Sequence, residues 1–185
     1  MHAFCKHCGH VHYRVTPGGG PTRGASRACR DDIGDHDKWA AHFGAPRVIH
    51  EAEVRRSIAD IEVQLTGTGP WDLQGRTVAE GALDGGVALV HTPGHTEGCI
   101  CLWHAPTQTM FTGDHIGWSE RVGRVSLFPR YNRAGMRRQV ESAQKLLNFD
   151  FLHVLPGHGR RFHLKNAAER LQMVSDVAEA ELAAA

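Results

Sequence analysis

The chain has 185 residues, 41% of them hydrophobic and 22% charged, with a formal net charge of +1. That length suits one domain with a substantial core, and so even a charge balance gives no electrostatic case for nucleic acid or an anionic membrane as partner. No apolar run is long enough to span a bilayer, no secretory h-region is visible, and five cysteines, an odd number, argue against a disulfide framework, so an intracellular protein, cytoplasmic or organellar, is expected.

The first thirty residues, MHAFCKHCGHVHYRVTPGGGPTRGASRACR, contain no acidic residue and a triple glycine. With little apolar periodicity they read as an irregular segment, 1–30, ahead of a domain spanning 31–185. Their Arg-rich, acid-poor character also suits a targeting remnant (plastid or mitochondrial) or a wrongly assigned start. Within them CKHCGH has the spacing of half a zinc knuckle. Cys5, His7, Cys8, His10 and His12 offer enough donors for a four-ligand site but poor separation.

From residue 31 the pattern changes. DDIGDHDKWAAHFGA predicts a helix with Asp31 or Asp32 near its N-cap and Gly44 at its stop. PRVIH follows as a short strand, EAEVRRS as a helical turn, IEVQL as a strand and TGTGPWDLQG as a loop. GVALVHTPG and GCICLWHA are apolar strands, and PTQ turns the second into TMFTGD, which makes 98–114 an antiparallel hairpin. Cys99 and Cys101 alternate on one face of that hairpin, as small packing residues do. AGMRRQVESAQKLLNF has Met136, Val140, Ala143, Leu146 and Leu147 at helical spacing. DFLHVLPGHG is a strand ending in a glycine-bounded loop, and KNAAERLQMVSDVAEAELAAA is a terminal helix.

Fourteen histidines are many for this composition, and their placement carries the chemistry. In PGHT, FTGDH and LPGHG an apolar strand ends, a glycine opens the backbone, and His95, Asp114 or His158 follows. Loops at the strand ends of a rigid sheet can present preorganised metal ligands. Imidazole with carboxylate suits zinc, iron or manganese better than magnesium or calcium. Asp114 could bridge two ions, so one or two are expected. His91 reads as a packing or orienting residue of the strand that carries His95. His115 reads either as a hydrogen-bonding neighbour of a ligand or as a solvated histidine. Trp118, Phe128 and Tyr131 read either as core or as walls of a substrate pocket, with Trp118 and Tyr131 taken as substrate-binding. Arg121, Arg124, Arg130 and Arg133 read first as a solvated face, and otherwise as an attraction for an anionic substrate.

HTPGHTEGC, MFTGDHIGW and VLPGHG together resemble the later signature segments of the metallo-β-lactamase superfamily, and the likeness runs from about residue 29 onward. The stretch CRDDIGDHDKWAAHFGAPRVIHEAE further resembles a subgroup found in bacteria and plants. The resemblance implies a four-layer αββα sandwich, a small-molecule substrate, and His95, Asp114 and His158 as metal ligands. The superfamily's first metal motif, His-x-His-x-Asp-His, is matched only in part. Asp35 and His36 stand at its last two positions, while Asp31 and Ile33 replace its histidines, and Cys29 stands where the subgroup carries a histidine. The implied ligand set is therefore His95, Asp114, His158, Asp35, His36, Asp31 and Cys29, with Asp35 also orienting the attacking water or acting as base. Members also carry two or three strands before this motif, so the first sheet here is expected to be incomplete. Its open edge at Val48 and Ile49 would then need a second chain, giving a homo-oligomer, or would leave a less stable molecule. The function implied is metal-dependent hydrolysis of an ester, thioester or amide, as in proteins resembling glyoxalase II. The alternatives are a non-heme iron oxidoreductase similar to persulfide dioxygenases and an inactive domain that keeps the fold.

Overall fold

A computed structural model describes residues 35–79 and 86–183 in full, and before them the backbone of three strands, β1 (Ala3–Phe4), β2 (Val11–Val15) and β3 (Thr22–Ser26). Two five-stranded sheets organise the chain. The first has the order β1-β2-β3-β4-β5, with β4 at Arg47–His50 and β5 at Val63–Leu65. β3, β4 and β5 run parallel, with Ser26 opposite Val48 and Val48 opposite Val63. The expected gap in this sheet is not found, because segment 1–30 supplies three strands to it. The alternation in VHYRV is a strand pattern that the unusual composition of the segment obscures.

The second sheet has the order β12-β11-β8-β7-β6. β6 (Val87–His91), β7 (Ile100–His104) and β8 (Thr109–Gly113) form an antiparallel meander, so the hairpin read in 98–114 is present. β11 (His153–Pro156) joins β8 in parallel, and β12 (Phe162–His163) closes the edge. A separate ribbon of β9 (Gly117–Ser119) and β10 (Arg124–Ser126) rises after β8. No sequence signal had marked it.

Strand alternation divides the core into layers, since successive side chains point to opposite faces. Val48 and Leu65 of the first sheet meet Val87, Leu89, Ile100, Leu102 and Phe111 of the second. The intervening Ala88, Val90, Cys101 and Met110 face helices α2 (Met136–Lys145) and α3 (Ala167–Ala183), through Val140, Ala143, Val174 and Val177. On the far side of the first sheet Ile49 packs with Ile58 and Ile61, and α1 (His36–Phe43) lies beside β3. The result is the expected α-β-β-α layering. Helix α1 ends as read, with Gly44 left-handed at its C-cap, but its N-cap is Asp35, whose side chain makes no capping bond. Asp31 and Asp32 lie outside the described residues, as do Cys29, Ile33 and the Cys5–Cys8 knuckle. Among the described residues no helix is long and apolar enough to cross a membrane.

Candidate metal centre

Three loops at one end of the second sheet converge. The loop after β6 carries His95 and is clamped from several sides. Thr92 donates its amide to the Cys99 carbonyl at 2.8 Å, and Gly94 to Thr96 at 3.0 Å. The amides of Arg133 and Ala134 reach back to the Gly94 carbonyl, and Ser142 of α2 donates to the Pro93 carbonyl at 2.7 Å. Glu53, buried to 1% exposure, accepts the Gly98 amide at 2.7 Å. The glycine of PGHT is required by close approach, because a Cβ on Gly94 would lie 2.7 Å from the Gln139 backbone Cα.

The loop after β8 carries Asp114. Gly113 before it is left-handed, and its carbonyl accepts the Gly157 amide at 2.7 Å, which ties this loop to the one bearing His158. In that loop the left-handed Gly159 passes so close to the Trp118 carbonyl that a Cβ would sit 2.2 Å from it. Gln139 of α2, fully buried, donates from Nε2 to the carbonyls of His115 and Leu127 at 2.8 and 2.9 Å, and so fixes the Asp114 turn and the neighbouring wall together.

The three side chains meet at Asp114. His95 Nε2 lies 3.7 Å from Asp114 Oδ2 and His158 Nε2 lies 3.5 Å from Oδ1. These separations are long for hydrogen bonds. They are close to the spacing of two donors on one zinc, about 3.3 Å for tetrahedral bonds of about 2.0–2.1 Å. Among the described residues no set of three His, Cys, Asp or Glu side chains forms by itself a group able to hold an ion. The geometry is that of two histidine–carboxylate pairs sharing one aspartate. His95 and Asp114 are buried, whereas the His158 side chain is 59% exposed.

Other expected residues are placed elsewhere. Asp35 pairs with Lys38 at 2.8 Å on the surface, and that cation holds its carboxyl below the usual range. His36 Nδ1 lies 2.9 Å from Asp37 and 3.3 Å from Nη1 of Arg47. Arg47 is buried and also donates to Asp37, Asp60 and Glu62, and the Glu62 carboxyl is drawn down to about 2 by that guanidinium. Neither Asp35 nor His36 is among the described residues that line the cavity holding His95, Asp114 and His158. His115 is fully buried rather than solvated, with neither ring nitrogen hydrogen-bonded among the described residues. Burial, reinforced by the neighbouring His95, pushes its pKa down to about 3. His91 orients rather than converges: its Nε2 bonds the Glu97 carbonyl at 2.9 Å and its ring stacks on His50 with centroids 4.2 Å apart. Cys99 and Cys101 are buried free thiols, and burial raises the Cys101 pKa to about 12.

The cavity has a volume of about 590 Å³. Its walls come from the β9–β10 ribbon, through Ser119, Arg121, Val122, Arg124 and Ser126, and from Phe128 to Tyr131. Tyr131 is therefore on the cavity wall. Trp118 is not: it sits on β9 beside Ser119, and alternation turns it toward a separate cleft with Phe162 and Met173. Sequence reasoning missed Glu181. It lies four residues after Val177, which lies four after Met173, so a carboxylate falls on the apolar stripe of α3, and that was the available signal. Glu181 Oε1 accepts from Arg124 at 3.1 Å and from Ser126 Oγ at 3.0 Å, and Ser126 Oγ in turn accepts the Phe128 amide. Phe128 is left-handed with φ 53°, a strained conformation for this residue that the network holds in place.

The sequence model of the metallo-beta-lactamase superfamily matches residues 31–158. The uncharacterized protein ML0493 of Mycobacterium leprae is 34% identical over 145 residues, which cover 68% of this chain and 64% of that protein. The chain thus spans just under two thirds of this curated relative's length. Among solved structures, TTHA1623 in a di-iron-bound form superposes with a TM-score of 0.57 at 18% identity, over 94% of this chain and 98% of its own. The metallo-beta-lactamase from Pontibacter korlensis does so with a TM-score of 0.56 at 14% identity, over 84% of this chain and 70% of its own. These structural likenesses concern the fold.

Proposed function

Since the chain belongs to the metallo-beta-lactamase superfamily, whose members are generally metal-dependent hydrolases, we propose that it hydrolyses an ester, thioester or amide of a small molecule in the cavity above Asp114. The observation that carries this reading is the placing of two imidazoles on opposite oxygens of one buried carboxylate at the inner end of that cavity. His95, Asp114 and His158 are the residues that would hold zinc, with iron or manganese as alternatives. Cys29 and Asp31, expected from the resemblance, would add donors. Asp35 and His36 would join them only by leaving Lys38 and the Arg47 cluster. A bound ion supplies Lewis acidity, polarising the scissile carbonyl and acidifying water. The protein's own part is positional. Loop 92–99 delivers His95 already oriented, and Asp114, as an anion, offsets the charge of the ion. The cavity wall at Phe128 and Tyr131 would give the acyl group an apolar surface to lie against.

Elemental analysis of untagged protein, paired with turnover of an ester and thioester panel, tests this. One or two zinc per chain and hydrolysis lost in His158→Ala are the expected results. Loaded protein with no turnover of any substrate would mean an inactive domain. A second reading, an oxidoreductase resembling persulfide dioxygenases, rests on the two-histidine, one-carboxylate donor set, which suits non-heme iron. One iron per chain with oxygen uptake on a persulfide would favour it.

A further inference from the structure

Three arginines line the cavity that holds His95, Asp114 and His158, and they are not equivalent. Arg124 is neutralised by the buried Glu181 carboxylate at 3.1 Å. Arg121 and Arg130 are exposed and make no ion pair with any described residue. They stand on two separate segments, Arg121 in the turn between β9 and β10 and Arg130 in the 3-10 turn at Pro129–Tyr131. The same cavity presents the apolar side chains of Val122, Phe128, Pro129 and Tyr131, next in sequence to the two arginines or close to them. Val122 and Tyr131 remain 45% and 59% exposed, which leaves apolar surface uncovered beside the two arginines.

We propose that Arg121 and Arg130 form an anion-recognition site, and that the substrate is an acyl compound with an apolar arm ending in a carboxylate or phosphate. The proposal rests on the reading of this cavity as the substrate site and adds the class of substrate. A guanidinium matches the geometry of both anions with paired N–H donors. The fixed Glu181–Arg124 pair leaves the positive charge at the two arginines alone, and the Glu181–Ser126–Phe128 network holds the apolar wall against which the arm would lie. A cavity of about 590 Å³ accommodates such a molecule whole.

Calorimetric titration of the full chain with phenylvalerate, phenylbutylphosphonate and phenylvaleramide tests the assignment without turnover. These probes share an arm and differ in the end group. The expected result is that at least one anion binds ~10-fold or more tightly than the neutral amide, with the tighter one identifying the natural group. In Arg121→Gln/Arg130→Gln that preference should shrink to about twofold or less, while Arg56→Gln, an exposed control in the 3-10 turn between β4 and β5, leaves it intact. Equal binding of all three, binding of none, or an anion preference that survives in the double variant overturns the proposal. Failure of hydrolysis with the preference retained would overturn the hydrolase reading alone.

Discussion

Each oxygen of the Asp114 carboxylate faces a different imidazole, and that single residue defines the candidate site more than either histidine does. Asp114→Asn keeps the shape but removes the charge. It is expected to lower zinc affinity by a factor of ~10 or more, read by competition with a chromogenic chelator. His91 makes a different contribution. It holds the loop by bonding the Glu97 carbonyl, and it is neutral because burial, with help from the neighbouring His50 and the cations of Lys145 and Arg138, drives its pKa to about 4. That lies below the ordinary 6.5, so between the two values the unfolded chain takes up a proton that the folded chain refuses. The stability that depends on neutral His91 is complete above pH 6.5 and falls as the pH drops toward 4. Urea midpoints measured across this window should fall less steeply in His91→Gln than in the parent, and equal slopes would show that His91 does not carry the effect.

At the scale of elements, the decisive contact is between α2 and the loop bearing His95. Gly94 lies against Gln139, and Ser142 and Gln139 of the same helix hold Pro93, His115 and Leu127. One helix thereby aligns the His95 loop, the Asp114 turn and the cavity wall. Gly94→Ala would drive a methyl group into Gln139, and the loop or the helix must move. The expected cost is about 1–3 kcal/mol of stability, as for overpacking at a tight contact, together with weakened metal binding. An unchanged melting temperature and unchanged zinc affinity would contradict this account. Of the strand-end glycines that made the three loops conspicuous in the sequence, Gly94 is explained by packing and Gly113 by its left-handed turn conformation, while Gly159, just beyond His158, is also required by close approach.

For the whole molecule, the strands of segment 1–30 matter most to β4. With β3 paired at Ala25 and Ser26, Arg47 and Val48 are covered at an edge that would otherwise be open. Removing residues 1–26 is expected to expose that edge and convert monodisperse protein into self-associating species, measured by light scattering after size-exclusion chromatography. A truncated chain that stays as monodisperse as the full one would show that the edge needs no cover.

The strands and the loops of His95, Asp114 and His158 were legible in the sequence because their signals are local: apolar runs of strand length, a glycine at the end, and a histidine or aspartate one residue later; the α-β-β-α layering came from the family resemblance of those segments. The resemblance placed Asp35 and His36 at the site through their position in the superfamily's first metal motif. It could not weigh Lys38 and Arg47, whose charges draw those side chains into another cluster. Trp118 was misplaced because an unrecognised ribbon, not the residue type, decides which face it takes. The roles of Glu181 and Gln139 became visible only in three dimensions. Their partners lie 55 and 12 to 24 residues away, and a hydrogen bond or ion pair depends on distance in space, which no spacing along the chain encodes. The sequence by itself determined which histidine and aspartate side chains stand at the strand ends and which strands carry them. Only the tertiary structure decided which of those side chains meet, and which charges around them are left uncompensated.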